Sequence, residues 1–318
     1  MAGDSIVGVL TSAVGPPLSI ALAGYLLGRW RDVDVEPLST VTVYLLLPAL
    51  VFHSIVTTPV PASTVVSLVV AMVAFTGLLA VVAAVVASLA GESGVVLRAG
   101  AIAAAVPNTG NFGIPVATFA FGTVGRTTAV LFVLVQNVLM YTVGVYALSR
   151  GGTGTRLAAL GRVLSLPLTY AVAAAGGVLA LGAVPPTGGP VMRTIEMAGD
   201  ASIPVFLVIL GLQLADMRPA SAVRRTLPMV GVKVLVAPVV GLAVALGVGL
   251  ATDAAAPFVV LTAGPSGVVP LVLAIEFGTD TGDLSPADYV GTVVFLTVLG
   301  SLPVVTGLIL LSRTGGLV

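Results

Sequence analysis

The residues with chemistry to offer are gathered in two short stretches. The first is Val106-Pro107-Asn108-Thr109-Gly110-Asn111-Phe112-Gly113-Ile114-Pro115-Val116, with two prolines, two glycines and two asparagines inside a long apolar run. The second is Ala263-Gly264-Pro265-Ser266-Gly267-Val268-Val269-Pro270. Proline removes an amide hydrogen and clashes with the carbonyl four residues back, and glycine weakens the helix around it, so neither stretch can continue as a straight helix. Each break ends one half-helix and starts another. Amide hydrogens and a positive dipole end then face the gap from one side, and carbonyls face it from the other. Anions suit the first set and cations the second. Asn108, Thr109, Asn111 and Ser266 add neutral donors and acceptors without a fixed charge.

The elements that must position these groups are membrane helices. Of 318 residues, 58% are hydrophobic and 8% are charged, and the mean hydropathy is +1.17, which no soluble domain with a polar surface sustains. In hydrocarbon an unsatisfied backbone group costs several kcal/mol, so a break persists only inside protein or beside a water-filled cavity. The two stretches therefore announce a site in mid-membrane. The formal net charge of zero and the lack of a basic cluster argue against nucleic acid as a partner. One histidine, no cysteine and no facing pair of aspartates leave neither a metal site nor a nucleophile–base pair, so an enzyme is not expected, nor a cofactor or metal. Met1-Ala2-Gly3-Asp4 lacks the basic start of a cleavable signal, so the first apolar segment is expected to stay as a spanning helix.

About 20 apolar residues span a bilayer. That rule predicts ten segments, at 5–28, 37–57, 62–90, 95–121, 124–149, 161–184, 190–215, 222–251, 255–278 and 284–312. Nine arginines (29, 31, 98, 150, 156, 162, 218, 224 and 225) fall on one side and three (126, 193 and 313) on the other. The bias puts the nine in the cytoplasm and both termini outside, in a multi-pass protein of the cell membrane. Tyr25 and Trp30 close the first segment as interface anchors.

The chain also repeats itself. Pro48 and Pro204 are 156 apart, Pro107 and Pro265 are 158 apart, and Pro115 and Pro270 are 155 apart. Five spans in each half, an odd number, force the second copy to enter upside down. The division runs 1–149, a short cytoplasmic loop at 150–160, and 161–318. Interrupted segments in matching positions of two inverted halves point to a transporter binding site. The alternative is a pair of Pro-kinked helices packed through glycine, with Asn bonding between helices.

The run P-N-T-G-N-F-G-I-P at 107–115 resembles the fourth-helix motif of the auxin efflux carrier family, to which the plant PIN proteins belong. L-P-A-L-V-F-H at 47–53, V-Q-N-V-L-M-Y-T-V-G at 135–144, S-I-P-V-F-L-V-I-L-G-L at 202–212, K-V-L-V-A-P at 233–238 and G-P-S-G-V-V-P at 264–270 extend the likeness over nearly the whole chain. The resemblance implies an all-α fold shared with the sodium-coupled bile acid carriers. In it, segments 1, 2, 6 and 7 form a scaffold beside a moving transport domain of segments 3–5 and 8–10, in which the broken segments four and nine cross. It also implies a homodimer and the export or exchange of small organic anions. The long cytoplasmic loop of plant members is absent.

Charges inside a membrane are expensive and mark function by default. Lys233 falls about 10 residues, or roughly 15 Å, into segment eight, and resembles the basic residue that the family places before its A/G-P motif. There its ammonium either replaces a coupling cation, moves a proton, or forms a structural ion pair. Asp200 is its candidate partner; Glu196, one turn earlier, fits the interface. Segment three, which carries an acid in some family members, has none here. His53 reads as a helix-end histidine. Gln136, Asn137 and Tyr141 are further candidates, with Asn137 and Tyr141 on one face at i and i+4.

The expected substrate-binding set is Asn108, Thr109, Gly110, Asn111, Pro265, Ser266, Gly267, Val268 and Asn137. Lys233 and Asp200 are the expected coupling or support site, and Pro107, Pro115, Gly264 and Pro270 the expected breaks. The function expected is secondary transport of a small carboxylate by alternating access in an elevator-like motion, coupled to a proton, to sodium or to nothing. An uncoupled facilitator, a sodium-coupled symporter and a membrane sensor are the alternatives. Beyond the anion, the expected partners are the lipid bilayer and a second copy of the chain.

Overall fold

The computed structural model describes residues 8, 10–58, 61–148, 161, 164–216, 223–277 and 284–317. The predicted 150–160 loop and Arg218 lie outside them. Helix α1 covers 10–30, followed by α2 (Val35–Thr57), α3 (Ala62–Leu89), α4 (Gly94–Ala105) and α5 (Thr109–Leu148). Then come α6 (Pro167–Ala180), α7 (Pro190–Asp216), α8 (Val223–Val248), α9 (Thr252–Thr262), α10 (Val269–Phe277) and α11 (Pro286–Arg313). Among the described residues there is no strand, and six helices (α2, α3, α5, α7, α8 and α11) are long and apolar enough to cross a membrane.

Helix α3 shows why these sequences fold as they do. Leu68, Met72, Phe75 and Leu79 recur at helical spacing and are fully or almost fully buried, while Val66, Val70, Val81 and Val85 on the other faces are exposed. A helix apolar all round finds lipid on one side and protein on the other. Helix α5 is not one straight rod. Gly122 adopts φ 61° and ψ −138° inside it, a conformation open to glycine at little cost. A Cβ on Gly125 would strike the carbonyl oxygen of Ala117, eight residues back, where a straight helix would hold the two about 12 Å apart. The chain turns back on itself at Gly122, giving arms at 109–121 and 123–148.

Proline has a second, quieter effect. The helices widen for one turn at Leu10–Val14, Thr42–Leu46, Thr109–Gly113, Met140–Gly144 and Val232–Val236. Four of the five lie just before a proline, at Pro16 and Pro17, Pro48, Pro115 and Pro238, and hold the carbonyl four residues back with which the ring would clash. One extra residue in the turn relieves that clash: Ile114 N bonds to Thr109 O and Ala237 N to Val232 O, both five residues away. Such widened turns are frequent at functional sites, and two of these hold Asn111 and Lys233.

Helix α7 packs on α1 and α2, and α2 also on α6. Helix α3 packs on α4 and α8, α9 on the arms of α5 and on α8, and α11 on α4, α8 and α10. Glycine permits the closest approaches. A Cβ on Gly24 would lie 2.5 Å from Val208 O, and one on Gly199 2.9 Å from Leu50 N, the small-residue contact by which helices associate without a hydrophobic drive.

Candidate functional site

The two interrupted stretches meet. Helix α4 ends at Ala105, and α5 begins at Thr109; α9 ends at Thr262, and α10 begins at Val269. Between them, Pro107 and Ser266 form an isolated antiparallel bridge. Asn108 N donates to Pro265 O at 2.7 Å, and Gly267 N to Val106 O at 2.8 Å. The backbone groups that the breaks set free are thus satisfied by one another, which is what makes non-helical chain tolerable at this depth. Each break is also tied to a later helix. Gln136 Nε2, on the 123–148 arm, donates to Pro107 O at 3.0 Å, and Ser266 N donates to Thr297 Oγ1 of α11 at 3.0 Å.

Asn108 caps the helix that follows it. Its Oδ1 accepts from Asn111 N at 3.2 Å, and its carbonyl accepts from Phe112 N and Gly113 N at 3.2 and 2.9 Å. The other half of the amide is left over: Asn108 is 6% exposed, and its Nδ2 is buried without a hydrogen-bond partner. Ser266, 158 positions later, is fully buried, and its Oγ also lacks a partner. An orphaned buried polar atom costs about 1–3 kcal/mol. Both orphaned atoms belong to residues of the crossing, one from each break.

Thr109, Pro107, Pro265, Gly264, Gly267, Pro115 and Pro270 are buried around this crossing, with Gly110, Asn111 and Val268 half-buried. Gly113 packs closely on α9, and a Cβ there would lie 2.8 Å from a terminal methyl of Leu261. Asn111 Nδ2 donates at 3.4 Å to Gln213 Oε1 on α7.

Lys233 is wholly buried. Its ammonium donates to Thr262 O at 3.2 Å, the last carbonyl of α9, where the helix dipole is negative and a cation is favoured. The Phe75 ring of α3 faces it, with the centroid 5.9 Å from Nζ. Phe75 belongs to an aromatic cluster, edge-on to Phe132 and to Phe258 at 6.2 Å each. The third helix thus presents an aromatic face to the ammonium, and a ring attracts a cation without being one partner of an ion pair.

The structure does not bring Asp200 to Lys233. Asp200 is exposed and pairs with Arg126 at 2.8 Å, a residue the sequence placed in an outer loop. Asn137 is half-buried one position from Gln136; the step of about 100° between successive helical residues gives the Pro107 carbonyl to Gln136 instead. Gln213 and Thr297 are contacts that the sequence motifs do not mark. Nothing local marks Gln213, but Thr297 stands 161 positions after Gln136, close to the spacing of the two breaks, and the repeat could have found it. Among the described residues no group of three or more His, Asp or Glu could hold a metal ion.

Apolar spanning helices around a buried crossing of non-helical chain, with polar atoms facing it, define a membrane transporter. The family described as "Membrane transport protein" matches residues 9–162 and 162–309, nearly the whole sequence, and the chain belongs to that family. The likeness carried by P-N-T-G-N-F-G-I-P is borne out, and the chain is a multi-pass membrane transporter and not an enzyme. It is also 27% identical, over 97% of its length and 97% of the relative's, to a protein named "Putative malonate transporter" from Rhizobium meliloti (strain 1021).

Proposed function

We propose that the chain is a secondary carrier that exports or exchanges small dicarboxylates, with the anion held at the crossing. The observation that carries this is the pair of orphaned donors, Asn108 Nδ2 and Ser266 Oγ, one from each break. A dicarboxylate is nearly two-fold symmetric and presents an acceptor to each. The half-helix that begins at Thr109 adds the positive end of its dipole. A neutral site of this kind recognises charge without burying a countercharge, and the relative's name, "Putative malonate transporter", points to a dicarboxylate.

The wider architecture follows the expectation from the repeat. Helices α4 with the 109–121 arm, and α9 with α10, are two broken spans, giving ten spans as inverted halves of five about the 150–160 join. Segments 1, 2, 6 and 7 act as scaffold, and segments 3–5 and 8–10 move past it as an elevator. Both termini are extracytoplasmic and two copies associate. The contacts Asn111–Gln213 and Arg126–Asp200 then link the moving part to α7 of the scaffold and must break when it travels.

Lys233 occupies the carbonyl end of α9, where a sodium-coupled carrier would hold its cation. Transport is therefore independent of sodium and is driven by a proton or by exchange. Protein reconstituted into liposomes is assayed for uptake of malonate, malate, succinate and acetate, with sodium and proton gradients imposed separately. The expected result is dicarboxylate uptake indifferent to sodium, with KM raised at least tenfold in Asn108→Ala and Ser266→Ala, the loss of one hydrogen bond to a charged group. Unchanged KM in both variants removes the crossing as the substrate site.

A further inference from the structure

A cavity of about 340 Å³ lies between α3, α4 and the 123–148 arm of α5. Small residues open it: Gly77, Ala80 and Ala84 of α3 face Ala101 of α4 and Gly144 of α5. Two of its wall residues, Val73 and Val143, are 44% and 60% exposed, so the cavity is a groove on the lipid-facing surface. One charged side chain, Arg98, stands on its wall. Arg98 Nε is buried with no hydrogen-bond partner, and Arg98 belongs to neither ion pair found among the described residues. The acid nearest in sequence, Glu92, is taken by Arg225, with bonds of 2.5 and 2.7 Å.

The groove has the dimensions of a lipid chain. Arg98 is four residues inside α4 from Gly94, about 6 Å along the axis, and Val106 at the far end of the groove lies eight residues, or about 12 Å, beyond it. One leaflet of the hydrocarbon core is about 15 Å deep. A small hydrophilic anion has nothing to gain from such apolar walls, whereas an uncompensated guanidinium inside a membrane is costly until it is paired. An amphipathic anion satisfies both ends.

We propose that this groove binds one anionic phospholipid, with an acyl chain along α3 and α4 and the headgroup phosphate on the guanidinium of Arg98. Guanidinium takes phosphate in a bidentate fork. With Glu92 engaged elsewhere, the charge of Arg98 goes uncancelled, and an anionic headgroup is favoured over a zwitterionic one. The site is separate from the crossing and does not depend on the substrate assigned there.

The test is native mass spectrometry of the purified full chain in detergent, titrated with phosphatidylglycerol or phosphatidylcholine. Wild type is expected to retain one phosphatidylglycerol in preference to phosphatidylcholine. Arg98→Gln lowers that preference about fivefold, the factor associated with one basic residue beside anionic lipid, and Arg98→Lys keeps most of it. Gly77→Leu fills the groove from α3, where an added Cβ meets no heavy atom within 4 Å, and loses one bound lipid of either kind. Should Arg98→Gln fail to fold, Gly77→Leu decides the matter on stoichiometry. An unchanged lipid preference in Arg98→Gln, or an unchanged lipid count in Gly77→Leu, overturns the proposal.

Discussion

Replacing Lys233 with methionine separates what this residue does for stability from what it does for transport. The side chain is entirely buried, with one hydrogen bond, to Thr262 O at 3.2 Å, and one ring, Phe75, at 5.9 Å. A hydrogen bond involving a charged group contributes about 1.5–3 kcal/mol, and a cation over a ring about 0.5–2. Against these stands the desolvation of an ammonium, several kcal/mol even after relaxation. The terms roughly cancel. Methionine fills a similar volume and adapts to irregular space, so Lys233→Met is expected to melt within about 5 °C of wild type, or above it, given about 2–4 °C per kcal/mol for chains approaching this size. Transport, in contrast, is expected to fall at least tenfold, because the carbonyl end of α9 loses its cation. Melting is followed by circular dichroism in detergent and transport by dicarboxylate uptake into liposomes. A melting temperature lower by more than about 10 °C would show that Lys233 is a structural keystone, and wild-type uptake would show that its charge is idle; either refutes the reasoning.

Two further outcomes follow from contacts along α7. The Arg126–Asp200 pair at 2.8 Å predicts that Arg126→Asp and Asp200→Arg each change the transport rate severalfold and that the double exchange restores it, read as uptake; a double variant no better than either single one excludes a pairing role. Gly211 faces the Ala21 carbonyl, with Tyr25 N 2.5 Å from where its Cβ would stand, so Gly211→Val is expected to cost about 1–3 kcal/mol through overpacking and to melt several degrees lower. An unchanged melting curve would mean that α1 and α7 can separate freely.

Sequence alone determined the solvent and the local conformation. Hydropathy made the chain a membrane protein, and the prolines and glycines at 107–115 and 264–270 prevented continuous helix there, because these effects act within a few residues of their cause. The wide turns ahead of Pro48, Pro115 and Pro238 follow from the same local clash, although hydropathy gives no sign of them. Tertiary structure decided which groups meet. Asn108 finds Pro265, Gln136 finds Pro107, Ser266 finds Thr297, and Lys233 finds Thr262, contacts spanning 29 to 157 residues, and each depends on how far one helix is shifted and rotated against another. One residue of rotation gave the crossing Gln136 in place of Asn137, and the register of α7 gave Asp200 to Arg126 and not to Lys233. Short-range sterics can be read from the chain in order; pairing across the bundle is settled only when all the helices pack at once.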